Sequence, residues 1–80
     1  MSELTYGEEA VGLKFNHAEG VTPDEVHEVK VTFAKLIDLV ESKRTANDSR
    51  LANTLKTFAV TSLIATQMAV VKVLTWKDQA

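Results

Sequence analysis

The sequence predicts an all-α protein, an antiparallel two-helix hairpin preceded by an irregular N-terminal arm over residues 1–21 and assembling into a homo-oligomer. Three observations predict it. All three glycines and the one proline fall at or before Pro23, so the rest of the chain lacks the residues that interrupt helices. Beyond Pro23, apolar side chains recur at spacings of three and four. The two periodic stretches are separated by a short polar segment with no period of its own.

The arm comes first. Gly7, Gly12 and Gly20 punctuate residues 1–21, which read as loop with at most a short strand. Thr22-Pro-Asp-Glu25 then has the form of a capping box. In that box Thr22 is expected to accept from the Glu25 N–H and Glu25 to reach back, with Pro23 at the first helical position, where its missing donor is not needed. A first long helix is expected over 22–43, with Val26, Val29, Phe33, Leu36, Ile37 and Val40 on its apolar side. Residues 44–48 read as the turn, with Asn47 or Asp48 capping the next helix.

The second long helix, over 49–76, would extend roughly 40 Å at ~1.5 Å per residue. Its stretch Thr57–Val71, TFAVTSLIATQMAVV, carries no charge. Hydroxyl and amide side chains interrupt this stretch, lysines flank it, and it falls short of the ~20 apolar residues of a spanning helix, so no membrane partner is expected. Phe58, Leu63, Ile64, Met68, Val70, Val71, Val73 and Leu74 point nearly all round the helix. One partner helix cannot cover them, but further copies of the chain can, each apolar side chain forgoing roughly 1.5–3 kcal/mol if left in water.

Composition narrows the function. An 80-residue chain is one domain, 1–80, with a marginal core of its own. It has no cysteine, hence no disulfide framework or thiolate metal site, and MSELTYGEEA lacks the features of a secretion signal. A net charge of -2 does not attract a polymeric nucleic acid. His17 and His27 are the two imidazoles, and His27-Glu28 lacks the second histidine of a zinc-protease helix. There is neither a phosphate-binding loop of Walker spacing nor a Gly-rich nucleophile turn. No enzyme activity, metal or cofactor is expected.

Two residues stand out. Lys30 lies at the edge of the apolar stripe of the first long helix. It reads either as a lysine whose stem covers the core while its ammonium reaches water, or as a point charge holding phosphate beside an apolar wall. Phe15, in the arm, reads either as a plug pinning the arm or as a platform for a stacked base.

The order VGLKFN, VHEVKVTFAKLIDLVES, a polar turn with an arginine, and AVTSLIATQMAVVKVLTWKD resembles the phage-encoded helical-hairpin family that includes the anti-CBASS and anti-Thoeris sponge proteins. The resemblance runs from about Ala10 to Asp78. It implies a non-enzymatic protein of the infected bacterial cytoplasm. Such a protein binds cyclic di- or trinucleotides or cyclic ADP-ribose isomers, keeps them from the immune effector, and assembles as a hexamer, a trimer of dimers. It further implies a first pocket in which Phe15 stacks on a base, Lys30 contacts phosphate and Asn16 bonds a base edge or ribose, with Lys14 and Val26 completing the set. A second pocket would use Thr61, Gln67, Met68 and Lys72. Where relatives carry tyrosine and tryptophan, this chain has Phe15 and Ala69, so stacking survives without the hydroxyl donor. The alternative is a structural or assembly hairpin of a phage, with no small-molecule ligand. A third reading, a small regulator binding protein or nucleic acid through the first long helix, is disfavoured by the acidic composition.

Overall fold

The computed structural model describes residues 3–13 and 24–77, and every described element is helical. They are α1 (Tyr6–Ala10), α2 (Asp24–Ser42) and α3 (Arg50–Thr75). The two long helices fall within a residue or two of the ranges predicted from periodicity. The Thr22 cap and Pro23 lie outside the described residues, as do Lys14, Phe15 and Asn16.

Within the arm the structure corrects the reading of irregular chain, because α1 is a short helix with both ends capped. Thr5 Oγ1 accepts from the Glu8 N–H at 3.1 Å, and Glu8 Oε1 accepts from the Thr5 N–H at 3.0 Å, a complete capping box. At the other end Gly12 adopts a left-handed φ of 67°. The Gly12 N–H donates to the Glu9 carbonyl and the Leu13 N–H to the Glu8 carbonyl, each at 3.0 Å, which is the paired-bond signature of a Schellman terminus. Gly7, a helix-weakening residue, sits inside α1 because α1 lies against α2 there. A Cβ on Gly7 would run into the Ala34 carbonyl oxygen.

The connection between α2 and α3 holds a second correction. Ser49, rather than Asn47 or Asp48, caps α3, its hydroxyl accepting from the Ala52 N–H at 3.0 Å. Asp48 is engaged otherwise, accepting from the Thr45 N–H and hydroxyl and pairing with Lys56 at 2.8 Å. Arg44 reaches from the end of α2 to Asn53 Oδ1 at 2.6 Å and Thr57 Oγ1 at 3.1 Å on α3, while its Nε pairs with Glu41 at 2.9 Å.

The core is small. Val11, Ala34, Ile37 and Val60, one or two from each helical region, form its buried cluster, with Phe33, Val40, Leu63 and Ile64 packed around it. Much of α3 faces outward, Phe58 and Val73 being 68% and 74% exposed. Among the described residues no second layer of helices covers those side chains. The 26-residue α3 is also long and apolar enough to cross a membrane by length and composition, where the shorter charge-free run by itself had read as insufficient.

Candidate functional site

An open recess of about 430 Å³ forms where the three helices meet. The end of α1 and its Schellman turn supply Glu9, Ala10, Val11 and Gly12, α2 supplies Lys30, and α3 supplies Gln67, Met68 and Val71. The register that brings them together follows from periodicity. Lys30, Ala34 and Asp38 form an i, i+4 row on α2, and Gly7 of α1 meets that row at Ala34 and Asp38, while Gly12 meets it at Lys30.

Two polar side chains are buried in this recess, Lys30 at 6% exposed and Gln67 at 4%. Lys30 Nζ donates to the Gly12 carbonyl at 3.2 Å, a bond that the left-handed Gly12 makes possible by turning the chain after α1. Among the described residues no carboxylate lies within ion-pair distance of Lys30. The ammonium has three donors, and among the described residues only the Gly12 carbonyl engages one of them. The Gln67 amide has no hydrogen-bond partner among the described residues. Among the described residues, then, the recess offers a positive charge with no ion-pair partner and an amide with no hydrogen-bond partner, in a lining that is mostly apolar apart from Glu9.

The residues singled out in the sequence are distributed in a way that merges the two expected pockets. Lys30, from the first set, and Gln67 and Met68, from the second, line one recess. Val26 is 1% exposed and lies within the packing rather than on the recess wall. Thr61 is exposed elsewhere on α3. Lys72 is also exposed, its Nζ 5.5 Å from the centre of the Trp76 ring, so its charge rests over an aromatic face at the end of α3. Lys14, Phe15 and Asn16 lie outside the described residues, directly following the Gly12-Leu13 turn in sequence.

Glu9, Ala10, Val11 and Gly12 were missed as recess residues because the arm read as irregular. The Thr5-x-x-Glu8 box followed by Gly12 is the signal that reveals α1, and with it one wall of the recess. Among the described residues there is no cluster of histidine and carboxylate side chains able to hold a metal ion.

The chain matches no family model, no curated protein and no solved structure.

Proposed function

We propose that this protein is a non-enzymatic sponge. It binds cyclic nucleotide immune messengers, namely cyclic dinucleotides, cyclic trinucleotides or glycocyclic ADP-ribose, and holds them away from a CBASS or Thoeris effector in the cytoplasm of an infected bacterium. One observation carries the reading. The Lys30 ammonium is buried at the wall of an open recess with no counter-charge within ion-pair distance among the described residues. A buried charge is costly unless paired, and a phosphodiester entering the recess supplies the pair. Phe15 and Asn16 follow the recess-forming turn in sequence and are the stacking and edge-bonding groups in this reading. Neither a nucleic-acid polymer nor a membrane enters it.

In the same reading α2 and α3 form an antiparallel hairpin and the hairpin is the unit of a homo-oligomer, a hexamer built as a trimer of dimers. Leu51, Leu55, Phe58, Ala65, Ala69 and Val73 support this, since all are exposed and recur along α3 at intervals of three, four or seven, which keeps them near one side of the helix. That stripe equally favours the second reading, a phage assembly hairpin without a small-molecule ligand.

A thermal-shift panel of cyclic dinucleotides, cyclic trinucleotides and cyclic ADP-ribose isomers separates the two, followed by mass analysis of ligand released on heating. Ligand at 100 times its Kd raises stability by about 2.7 kcal/mol, an easily measured shift. Stabilisation with intact ligand recovered supports sequestration, turnover of the ligand defeats the non-enzymatic reading, and no shift with any member leaves the assembly role.

A further inference from the structure

We infer that the Gln67 amide reads the base of a bound nucleotide in the same recess in which Lys30 meets its phosphate, with adenine as the favoured base. The inference rests on the sequestration reading and goes beyond it by assigning the second buried polar group and the ligand chemistry it selects.

A glutamine amide carries two N–H donors and a carbonyl with two lone pairs, and the large majority of buried side-chain polar atoms have a hydrogen-bond partner. Gln67 departs from that rule. It is 4% exposed, yet none of its donors or acceptors has a partner among the described residues. Along α3 it stands between apolar recess and core positions, with Val60 and Ile64 before it and Met68 and Val71 after it. Leucine or methionine there would pack with no orphaned amide, so nothing among the described residues accounts for glutamine at this position.

The ligand that satisfies it must present a donor and an acceptor side by side. Free phosphate offers acceptors alone and would leave the Gln67 carbonyl orphaned. A nucleobase edge offers both, and glutamine pairs in two-bond fashion with the amino group and adjacent ring nitrogen of adenine. The rest of the recess suits a base. Ala10, Val11 and Val71 supply apolar wall, and a volume of about 430 Å³ lies in the lower part of the ~300–1,000 Å³ range of ligand pockets. Among the described residues Lys30 uses one of its three donors, leaving two for the phosphate attached to that base.

The test uses the native protein, Gln67→Met and Lys30→Met. Affinity is measured by calorimetry for cyclic di-AMP and for the same ring with the adenine amino groups replaced by hydrogen. Melting temperature and light scattering of the free proteins are recorded alongside. Native protein should prefer cyclic di-AMP to the deaminated ring by about 10-fold or more, and Gln67→Met should bind cyclic di-AMP roughly 10–100-fold more weakly and show no preference. Free Gln67→Met should melt higher than the native protein at unchanged mass, since it removes an orphaned amide; Lys30→Met should weaken both ligands alike.

Equal binding of cyclic di-AMP by native protein and Gln67→Met overturns the inference while leaving sequestration intact. A lower melting point with dissociation of Gln67→Met also overturns it, assigning the amide to pairing between copies. Native protein that fails to bind cyclic di-AMP defeats base reading by Gln67. If another cyclic nucleotide then shifts its melting, sequestration survives that result, and if none does, both fall.

Discussion

The Gly7 N–H donates to Asp38 Oδ1 at 2.7 Å across the boundary between α1 and α2. Gly7 occupies the second position of α1, where its N–H has no partner within the helix, so a carboxylate from the neighbouring helix supplies both the missing acceptor and a favourable charge at the helix start. With the Lys30 bond to the Gly12 carbonyl, α1 is fastened to α2 at both ends. The recess wall that α1 provides depends on those two bonds and on the close approach at Ala34.

Asp38→Ala should therefore loosen α1. The expected loss is ~1.5–3 kcal/mol, the usual magnitude for a hydrogen bond to a charged group. Faster hydrogen exchange at the Gly7 amide, together with a lower melting point, is the measurement that checks it. Gly7→Ala should destabilise by a comparable ~1–3 kcal/mol, through overpacking against the Ala34 carbonyl. An unchanged melting point in both variants would show that α1 does not rest on this contact.

Gly12→Ala tests the other end of α1. A left-handed conformation costs a non-glycine residue roughly 1–2 kcal/mol, so the Schellman turn should weaken and the Lys30 acceptor should shift. The expected result is a lower melting point and weaker ligand binding, and an unchanged melting point would show that the turn does not depend on Gly12.

The Asp48–Lys56 pair predicts an acid-side loss of stability. The hydrogen bond from Lys56 first, and those from Thr45 next, hold the Asp48 carboxyl below the usual carboxylate range. A lowered folded value means that the stabilisation is complete above the unfolded value of about 3.9 and is lost as pH falls through the folded value. Asp48→Asn should flatten the melting-temperature profile below about pH 4 and leave its shape near neutrality unchanged. An identical acid limb in both proteins would exclude the pair as its source.

Arg44 joins the end of α2 to the start of α3 through Asn53 and Thr57, and lysine cannot reproduce that fork. Arg44→Lys should cost about 1 kcal/mol, near the net value of a typical hydrogen bond in partly exposed surroundings. Urea denaturation with an unchanged slope and a lower midpoint is the expected outcome.

The exposed stripe on α3 makes a prediction about assembly. Phe58→Glu places a charge in the middle of the proposed seam and should reduce the oligomer to smaller species in light scattering. A native-sized particle would mean that another face joins the copies.

Much of the helical content was legible because its causes are local. Asp24–Ser42 and Arg50–Thr75 have continuous three-and-four periodicity and no internal Gly or Pro, so their propensities and their apolar stripes agree. α1 was not read, although Thr5, Glu8 and Gly12 spell out both of its caps, because Gly7 argues locally against a helix and only contact with α2 explains it. For the site, Lys30 was visible as a charge breaking an apolar stripe. Gln67 was visible only as a polar residue in an apolar run, and its lack of a partner emerges once α1, α2 and α3 are packed.

By itself the sequence indicated that the chain is mostly helical, roughly where two long helices run, and that α3 carries more apolar surface than one neighbour can cover. Those properties depend on residues at most a few positions apart. The tertiary structure alone decided that Lys30 and Gln67, 37 positions apart, share one recess, and that Lys72 and Thr61 stand outside it. It also decided that Gly7 and Gly12 serve the attachment of α1 rather than flexibility. Which side chains meet depends on the register of one helix against another, and that register is set by the sum of many weak contacts along the whole interface, which no short stretch of sequence contains.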